Sequence, residues 1–104
     1  MKNMSVLKVT KDNFNEVRNS SKPVLLDFYA DWCGPCQMVA PVVHEIAEEY
    51  PEYIVGKINV DEEPELAQAF SVVSIPMLVV LENGKIKEQA VGYRSKDDIL
   101  EMLG

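Results

Sequence analysis

Three apolar runs in the first part of the chain have the length and composition of β-strands. They cover residues 6–9, 23–30 and 53–60. The second run is apolar at nearly every position, which is typical of a strand that is covered by helices on both faces of its sheet. We therefore expect residues 23–30 to form a central strand with parallel pairing.

Segments with helical periodicity separate these runs. The most regular one follows Cys36, where apolar side chains recur at helical spacing. Pro41 lies inside this helix and removes one backbone donor, so a kink is expected there. A shorter helix should begin after Asn13, with Asn13 and Glu16 as its capping pair. A further helix is expected to begin at Pro64, since proline suits the first helical turn.

The pattern changes in the last part of the chain. Asn83 and Gly84 favour a tight hairpin turn, because two apolar runs flank them. Ser95 precedes Asp98 by three residues, which is a capping pattern for a final helix. The whole sequence therefore predicts an α/β fold with a central mixed sheet of about five strands and about four helices, in the order βαβαβαββα.

Composition and charge narrow the class of protein. The 104 residues are 47% hydrophobic and 26% charged, which suits one ordinary globular domain spanning residues 1–104. The formal net charge of -7 argues against a surface for nucleic acids or anionic membranes. No apolar run has the length of a membrane helix, and residues 1–10 lack the apolar core of an export signal. We therefore expect a cytoplasmic protein. A monomer is the default expectation, since the sequence does not reveal whether two molecules associate.

The two cysteines, Cys33 and Cys36, lie where the central strand should end and the long helix should begin. In a reducing compartment, such a close pair is more often catalytic or metal-binding than structural. The amide donors of a helix start stabilise a thiolate at Cys33, and the spacing brings the second sulfur within disulfide range. We therefore expect Cys33, nearer the surface, to attack disulfides in other proteins, and Cys36 to resolve the mixed disulfide.

Other interpretations of the cysteine pair fit less well. A zinc site needs about four ligands, and His44 lies about 12 Å farther along the helix than Cys36, so no metal is expected. A haem attachment sequence would need His directly after Cys36, where Gln37 stands. No cofactor beyond the cysteine pair is therefore expected. A pair of unreactive core thiols is the remaining alternative.

The segment Trp32-Cys33-Gly34-Pro35-Cys36 resembles the motif of the thioredoxin family, and the resemblance extends over essentially the whole chain. Further matches, in order, are Asp27, Phe28, Ala30, Pro41, Lys57, Asp61, Ile75, Pro76, Asn83, Gly84 and Gly92. The resemblance implies the thioredoxin fold and reduction of disulfide-containing client proteins, with a thioredoxin reductase as electron donor. Gly34 and Pro35 fit the reducing members of the family, because isomerases and oxidases carry His in that pair.

The same resemblance implies roles for individual residues. Asp27 would be the buried carboxylate that manages the proton of Cys36, and Lys57 would be its charge partner. Pro76 would be the cis-proline whose neighbour Ile75 offers backbone hydrogen bonds to an extended client segment. The apolar docking surface around Cys33 would consist of Trp32, Gly34, Pro35, Ile75 and Gly92.

Plainer interpretations of four of these residues stay open. From the sequence alone, Asp27 equally well satisfies nearby backbone donors. Lys57 could be an ordinary exposed strand residue, and Trp32 an ordinary core aromatic. Gly92 could be a turn glycine that backbone geometry requires.

Three positions depart from the common pattern of the family. Tyr29 stands where Trp is frequent, Gln37 where a basic residue is frequent, and Met77 where Thr usually follows the proline. Gln37 removes a charge beside the thiolate, and Met77 is expected to reshape the surface near Pro76, so both bear on potency and partner choice.

Two other functions remain as alternatives. One is a binding module that uses the apolar surface without redox chemistry. The other is a glutaredoxin-like enzyme that draws electrons from glutathione, although Trp32, Gly34 and Pro35 fit the thioredoxin family better.

Overall fold

The protein is built around a mixed sheet of five strands. The computed structural model describes residues 5–104; residues 1–4, part of the segment expected to lack an export signal, lie outside the described residues. The elements are β1 (Val6–Lys8), α1 (Phe14–Arg18), β2 (Val24–Tyr29), α2 (Gly34–Glu49), β3 (Ile54–Asn59), α3 (Pro64–Ala69), β4 (Met77–Glu82), β5 (Lys85–Val91) and α4 (Lys96–Leu103). The predicted fold class and the order βαβαβαββα are confirmed.

Strand β2 lies at the centre of the sheet, whose strand order is β1-β3-β2-β4-β5. It pairs in parallel with β3 and antiparallel with β4, so its backbone is hydrogen-bonded on both sides. Five of its six residues are buried, as the nearly continuous apolar run predicted. The register places Asp27 of β2 between Lys57 of β3 and Leu78 of β4.

Alternate residues of β2 face two separate hydrophobic cores, one on each side of the sheet. Leu25 packs in the core that α2 and α4 cover. Phe28 packs on the opposite side, where its ring lies 5.3 Å from that of Phe70, which in turn lies 5.7 Å from Phe14. Because Asp27 alternates with Phe28, its carboxyl group lies on the same face as Leu25, beneath α2.

The predicted hairpin turn and the predicted cap of the final helix are confirmed. Asn83 and Gly84 both have positive φ angles, 56° and 79°, and they form the two-residue turn between β4 and β5. The side-chain oxygen of Ser95 accepts a hydrogen bond from the Asp98 N–H at 3.1 Å. The turn between β4 and β5 and the start of α4 are thus both determined by short local sequences.

The predicted capping of α1 by Asn13 and Glu16 is wrong. The Asn13 side chain makes no capping hydrogen bond. Its Oδ1 accepts a hydrogen bond from the Thr10 N–H at 2.8 Å, and its Nδ2 donates to the Lys8 carbonyl at 2.9 Å. The amide group therefore closes the loop after β1, and this local use of Asn competes with capping.

The remaining helices begin where the sequence predicted. Helix α3 has Pro64 in its first turn, and α2 continues through Pro41. The kink expected at Pro41 stays a prediction. Within residues 5–104, no helix combines the length and the apolar character that a membrane span requires.

The side chain of Val9, the residue after β1, packs closely against Gly56 of β3. A Cβ atom on Gly56 would lie 2.5 Å from Cγ2 of Val9. Val9 is buried and β-branched, so its side chain has little freedom to move away. We therefore expect Gly56→Ala to lower the free energy of unfolding by about 1–3 kcal/mol, as measured by urea denaturation.

Gly34→Ala is the matched control for this substitution. A Cβ atom at Gly34 would have no neighbour within 4 Å, so the free energy of unfolding should change by less than about 0.5 kcal/mol. Equal losses in the two variants would contradict a role for the close packing of Val9 against Gly56.

Candidate active site

Cys33 and Cys36 lie at the junction between the end of β2 and the start of α2, and they form a disulfide with Cα atoms 5.3 Å apart. Cys33 is the N-cap residue of α2, and its Sγ accepts a hydrogen bond from the Cys36 N–H at 3.2 Å. The N–H groups of a first helical turn lack partners within the helix and stabilise negative charge. The predicted spacing and the predicted position at a helix start are both confirmed.

The two cysteines are equally buried in this oxidised state. Cys33 is 4% exposed and Cys36 is 3% exposed, so the expectation that Cys33 lies nearer the surface is wrong for the disulfide form. The physical reason is local packing, because both sulfurs belong to a small cluster with Ala30, against which Ile75 packs. The Sγ atom of Cys33 lies 3.8 Å from the Ile75 carbonyl oxygen, a contact that a reduced thiol could turn into a hydrogen bond.

Two of the departures from the family pattern have visible structural consequences. The Nε2 group of Gln37 donates a hydrogen bond to the Asp31 carbonyl at 3.0 Å, which ties α2 to the preceding loop. Met77 is buried in the same core as Phe28. The expectation that Met77 reshapes the surface near Pro76 is therefore wrong, because strand alternation turns its side chain into that core.

Asp27 is a buried carboxyl group beneath α2. It is 4% exposed, and its Oδ1 has no hydrogen-bond partner among the described residues. Burial raises the pKa of Asp27 from 3.8 to about 7, and the positive charge of Lys57 acts in the opposite direction. A carboxyl group with a pKa near 7 can both take up and release a proton at neutral pH.

A cavity of about 210 Å³ brings three of the predicted site residues together, because Asp27, Cys36 and Lys57 all line it. His44 is exposed and borders the same cavity. The cavity is large enough for water and has polar partners for it. Cys36 and Asp27 therefore share a space that water can occupy.

Lys57 makes no contact ion pair with Asp27. Among the described residues, the ion pairs within 4.0 Å involve Lys8 and Lys96. The Nζ atom of Lys57 lies instead 5.7 Å from the centroid of the Tyr29 ring, within the range of a cation–π contact. Lys57 is half-buried, so its interpretation as an ordinary exposed residue does not hold.

Trp32 is the most prominent apolar group beside the disulfide. It is 72% exposed, which rules out its interpretation as a core aromatic. Its Nε1 donates a hydrogen bond to Oδ2 of Asp61 at 2.9 Å. Gly34 and Pro35 are also exposed, and Ile75 is half-buried. These four residues therefore lie around the cysteine pair at different depths.

Pro76 and Gly92 hold the neighbouring loop in place. The peptide bond between Ile75 and Pro76 is cis, as the resemblance implied, and Pro76 is buried. Gly92 has a φ angle of 94°, and its N–H donates a hydrogen bond to the Pro76 carbonyl at 2.7 Å. Backbone geometry therefore requires glycine at position 92. In the described part of the chain, Ile75 takes part in no backbone–backbone hydrogen bond, and its carbonyl oxygen lies on the side of the Cys33 sulfur.

The loop after β3 supports Trp32 in a way that the sequence pattern did not indicate. The acidic residue Asp61 anchors the indole. Asn59 is buried, and its Oδ1 accepts hydrogen bonds from the N–H groups of Asp61 at 2.9 Å and Glu62 at 3.2 Å. An Asn that ends a strand two residues before an Asp is a recognisable signal for such a turn.

The chemistry of the site follows from the two sulfurs. Residues 5–104 contain no group of three or more His, Cys, Asp or Glu side chains that could hold a metal ion. The cysteine pair can exist as a disulfide or as two thiols, and a titratable carboxyl group shares a cavity with Cys36. The fold and the site therefore define a protein that exchanges dithiols and disulfides.

Comparison with known proteins identifies the family. The sequence profile described as Thioredoxin matches residues 5–104. A thioredoxin from Alicyclobacillus acidocaldarius is 42% identical over 100 residues, which cover 95% of each chain. A thioredoxin from Mycobacterium bovis is 46% identical over 101 residues, covering 95% of this chain and 87% of that protein. This chain belongs to the thioredoxin family.

A solved structure and a fused relative agree with this assignment. A mutant thioredoxin from Halobacterium salinarum superposes with a TM-score of 0.89 at 38% identity, covering 99% of this chain and 92% of the other. A protein from Mycobacterium leprae named bifunctional thioredoxin reductase/thioredoxin is 47% identical over 91 residues, which cover 86% of this chain and 20% of that protein. The chain is thus a thiol–disulfide oxidoreductase that acts by dithiol exchange at Cys33 and Cys36.

Replacing Asp27 should change how stability depends on pH. The Asp27 carboxyl has a pKa of about 7 when folded and 3.8 as its ordinary value, so the unfolded chain binds fewer protons between these pH values. The stability that protonation of Asp27 provides is complete below pH 3.8 and is lost as the pH rises through about 7. Above that pH we expect Asp27→Asn to be more stable than the parent by up to about 4 kcal/mol.

Urea denaturation of the oxidised proteins at several pH values tests this expectation. The difference between Asp27→Asn and the parent should shrink as the pH falls. Asp31→Asn, at an exposed position, is the matched control and should give no comparable difference. A gain in stability that is the same at every pH would show that burial of a charge is not its cause.

Proposed function

We propose that this chain reduces disulfide bonds in client proteins, with Cys33 as the attacking and Cys36 as the resolving residue. The observation that carries the proposal is the hydrogen bond from the Cys36 N–H to Sγ of Cys33 at the start of α2. This bond stabilises a thiolate at Cys33, and the thiolate is the nucleophilic form of cysteine. The assignment of roles therefore rests on electrostatics, since the two residues are equally buried.

The proposed reaction consists of two exchanges. The Cys33 thiolate attacks one client sulfur, the client disulfide breaks, and the other client sulfur leaves and takes up a proton. Cys36 then loses its proton and attacks Sγ of Cys33, so that the mixed disulfide breaks and the second client sulfur leaves. Two electrons pass to the client, and the disulfide between Cys33 and Cys36 forms.

In this proposal Asp27 accepts the proton of Cys36. The cavity that they share, the unpartnered Oδ1 atom and a pKa of about 7 support this role. Lys57 supplies the positive charge that keeps the ionised form of Asp27 accessible.

We propose that clients dock as extended segments on the surface around the disulfide. Backbone groups of Ile75 would pair with the client in the manner of an added strand, and Pro76 would hold the Ile75 peptide in place. Apolar client side chains would contact Trp32, Gly34, Pro35 and Gly92.

The proposal also concerns the setting in which the chain works. Residues 1–104 would act as one thioredoxin domain and as a monomer in the cytoplasm, with the cysteine pair as the sole redox group. Thioredoxins work with thioredoxin reductases and with disulfide-containing clients. The reductase domain fused to the Mycobacterium leprae relative supports a reductase as the electron donor here.

Alkylation at neutral pH tests the ionisation of Cys33. In reduced Cys36→Ser, we expect iodoacetamide to modify Cys33 roughly ten times faster than it modifies the same variant unfolded in guanidinium, because folding adds the helix-start donors. The rate is followed by mass spectrometry at pH 7. Equal rates in the folded and unfolded chains would contradict the proposed nucleophile.

Trapping of clients tests the exchange mechanism. Cys36→Ser should hold clients from a cell lysate as mixed disulfides through Cys33, because the resolving thiol is absent. The double variant Cys33→Ser/Cys36→Ser is the control and should hold none. Clients are eluted with a reductant and counted by mass spectrometry. Equal recovery with both variants would instead favour a binding module that uses the exposed apolar surface around Trp32.

A further inference from the structure

The ammonium group of Lys57 has two possible partners on one face of the sheet. Asp27 lies directly across from Lys57 in the parallel register between β2 and β3. Tyr29 lies two residues farther along β2, on the same face as Asp27. Adjacent strands are about 4.8 Å apart and two residues span about 6.6 Å, so a lysine side chain can reach either partner.

The structure shows which partner Lys57 contacts. Its Nζ atom lies 5.7 Å from the Tyr29 ring centroid, and it forms no ion pair within 4.0 Å of the Asp27 carboxyl oxygens in the described part of the chain. The Oδ1 atom of Asp27 has no hydrogen-bond partner there either. The side chain of Lys57 therefore extends along the strand toward the ring, although an unpartnered carboxyl group lies in the neighbouring strand.

We propose that Tyr29 is a positioning residue, whose ring holds the Lys57 ammonium out of contact with Asp27 and so keeps this carboxyl group available for proton exchange with Cys36. This inference rests on the proposed role of Asp27 and deepens it. A lysine in direct contact would favour the carboxylate strongly and make it a poor proton acceptor. A lysine at a distance still favours ionisation, but the effect is weaker.

Other charged groups lie near this site. Lys8 of β1 lies beside Lys57 in register, but its ammonium pairs with Glu62 at 3.3 Å. Asp31 and His44 border the same cavity, and Leu78 on the β4 side of Asp27 carries no charge. Cys36 does not titrate in the oxidised protein. In the oxidised protein, Asp27 can therefore be titrated without a titrating thiol beside it.

A double-mutant cycle on the oxidised protein tests the proposal. The four proteins are the parent, Tyr29→Leu, Lys57→Met, and Tyr29→Leu combined with Lys57→Met. All four carry His44→Gln, which removes the imidazole from the cavity. The measured quantity is the pKa of the Asp27 carboxyl group, followed by carbon-13 NMR, and urea denaturation confirms that each variant is folded.

We expect Tyr29→Leu to lower the pKa of Asp27 by about one unit or more, because the released ammonium can approach the carboxyl group. The same substitution should have little effect when Lys57 is already Met. Tyr29→Phe keeps the aromatic face, so it should leave the Asp27 pKa close to that of the parent.

Two results would overturn the proposal. One is an equal fall in pKa with and without Lys57, which would mean that the ring acts by excluding water. The other is an unchanged or raised pKa in Tyr29→Leu, which would mean that the ring does not keep the ammonium away.

A kinetic measurement separates this inference from the proposed function. When Cys33 carries a mixed disulfide, the rate at which the Cys36 thiol resolves it should fall at acidic pH. In Tyr29→Leu, the midpoint of this fall should shift to lower pH together with the Asp27 pKa. If Asp27→Asn resolves the mixed disulfide with the pH profile of the parent, the proposed role of Asp27 fails. The carboxyl titration still reports whether Tyr29 positions Lys57.

Discussion

The pairing of β2 with both of its neighbours is the constraint on which the rest of this structure depends. Because β2 is hydrogen-bonded on both sides and apolar on both faces, its position in the sheet is fixed. Its end then sets where α2 begins, and so where Cys33 meets the Cys36 N–H. The same register places Asp27 beside Lys57, beneath the helix that carries the sulfurs. The disulfide and the buried carboxyl group are thus positioned by one strand.

The fold was predictable because its signals are local. The continuous apolar run of β2, the Asn83-Gly84 turn and the Ser95 cap each depend on neighbouring residues, and the structure bears out all three. The capping of α1 was not predictable in the same way. Asn13 has two competing sets of backbone partners within a few residues, and the closure of the loop after β1 decides between them.

The candidate site was predictable in its residues but less so in its distances. The motif identified both cysteines, and the resemblance supplied Asp27 and Lys57. Which group the Lys57 ammonium contacts depends on how a flexible side chain lies across two strands, and no sequence pattern encodes that. The burial of Cys33 likewise depends in part on Val60 and Ile75, which are distant in the sequence and pack against its cluster. The identity of the site residues was therefore easier to predict than their contacts and burial.

The hydrogen bond between Trp32 and Asp61 bears on the energetics of client capture. A large exposed side chain usually loses rotational entropy when a partner covers it, at a cost of about 0.5–1.5 kcal/mol. The indole is already held by a carboxylate in a loop that Asn59 keeps ordered, so part of that entropy was lost on folding. A side chain that is ordered before binding loses less entropy when a client segment of the kind proposed above covers it, so more of its contact energy appears as affinity.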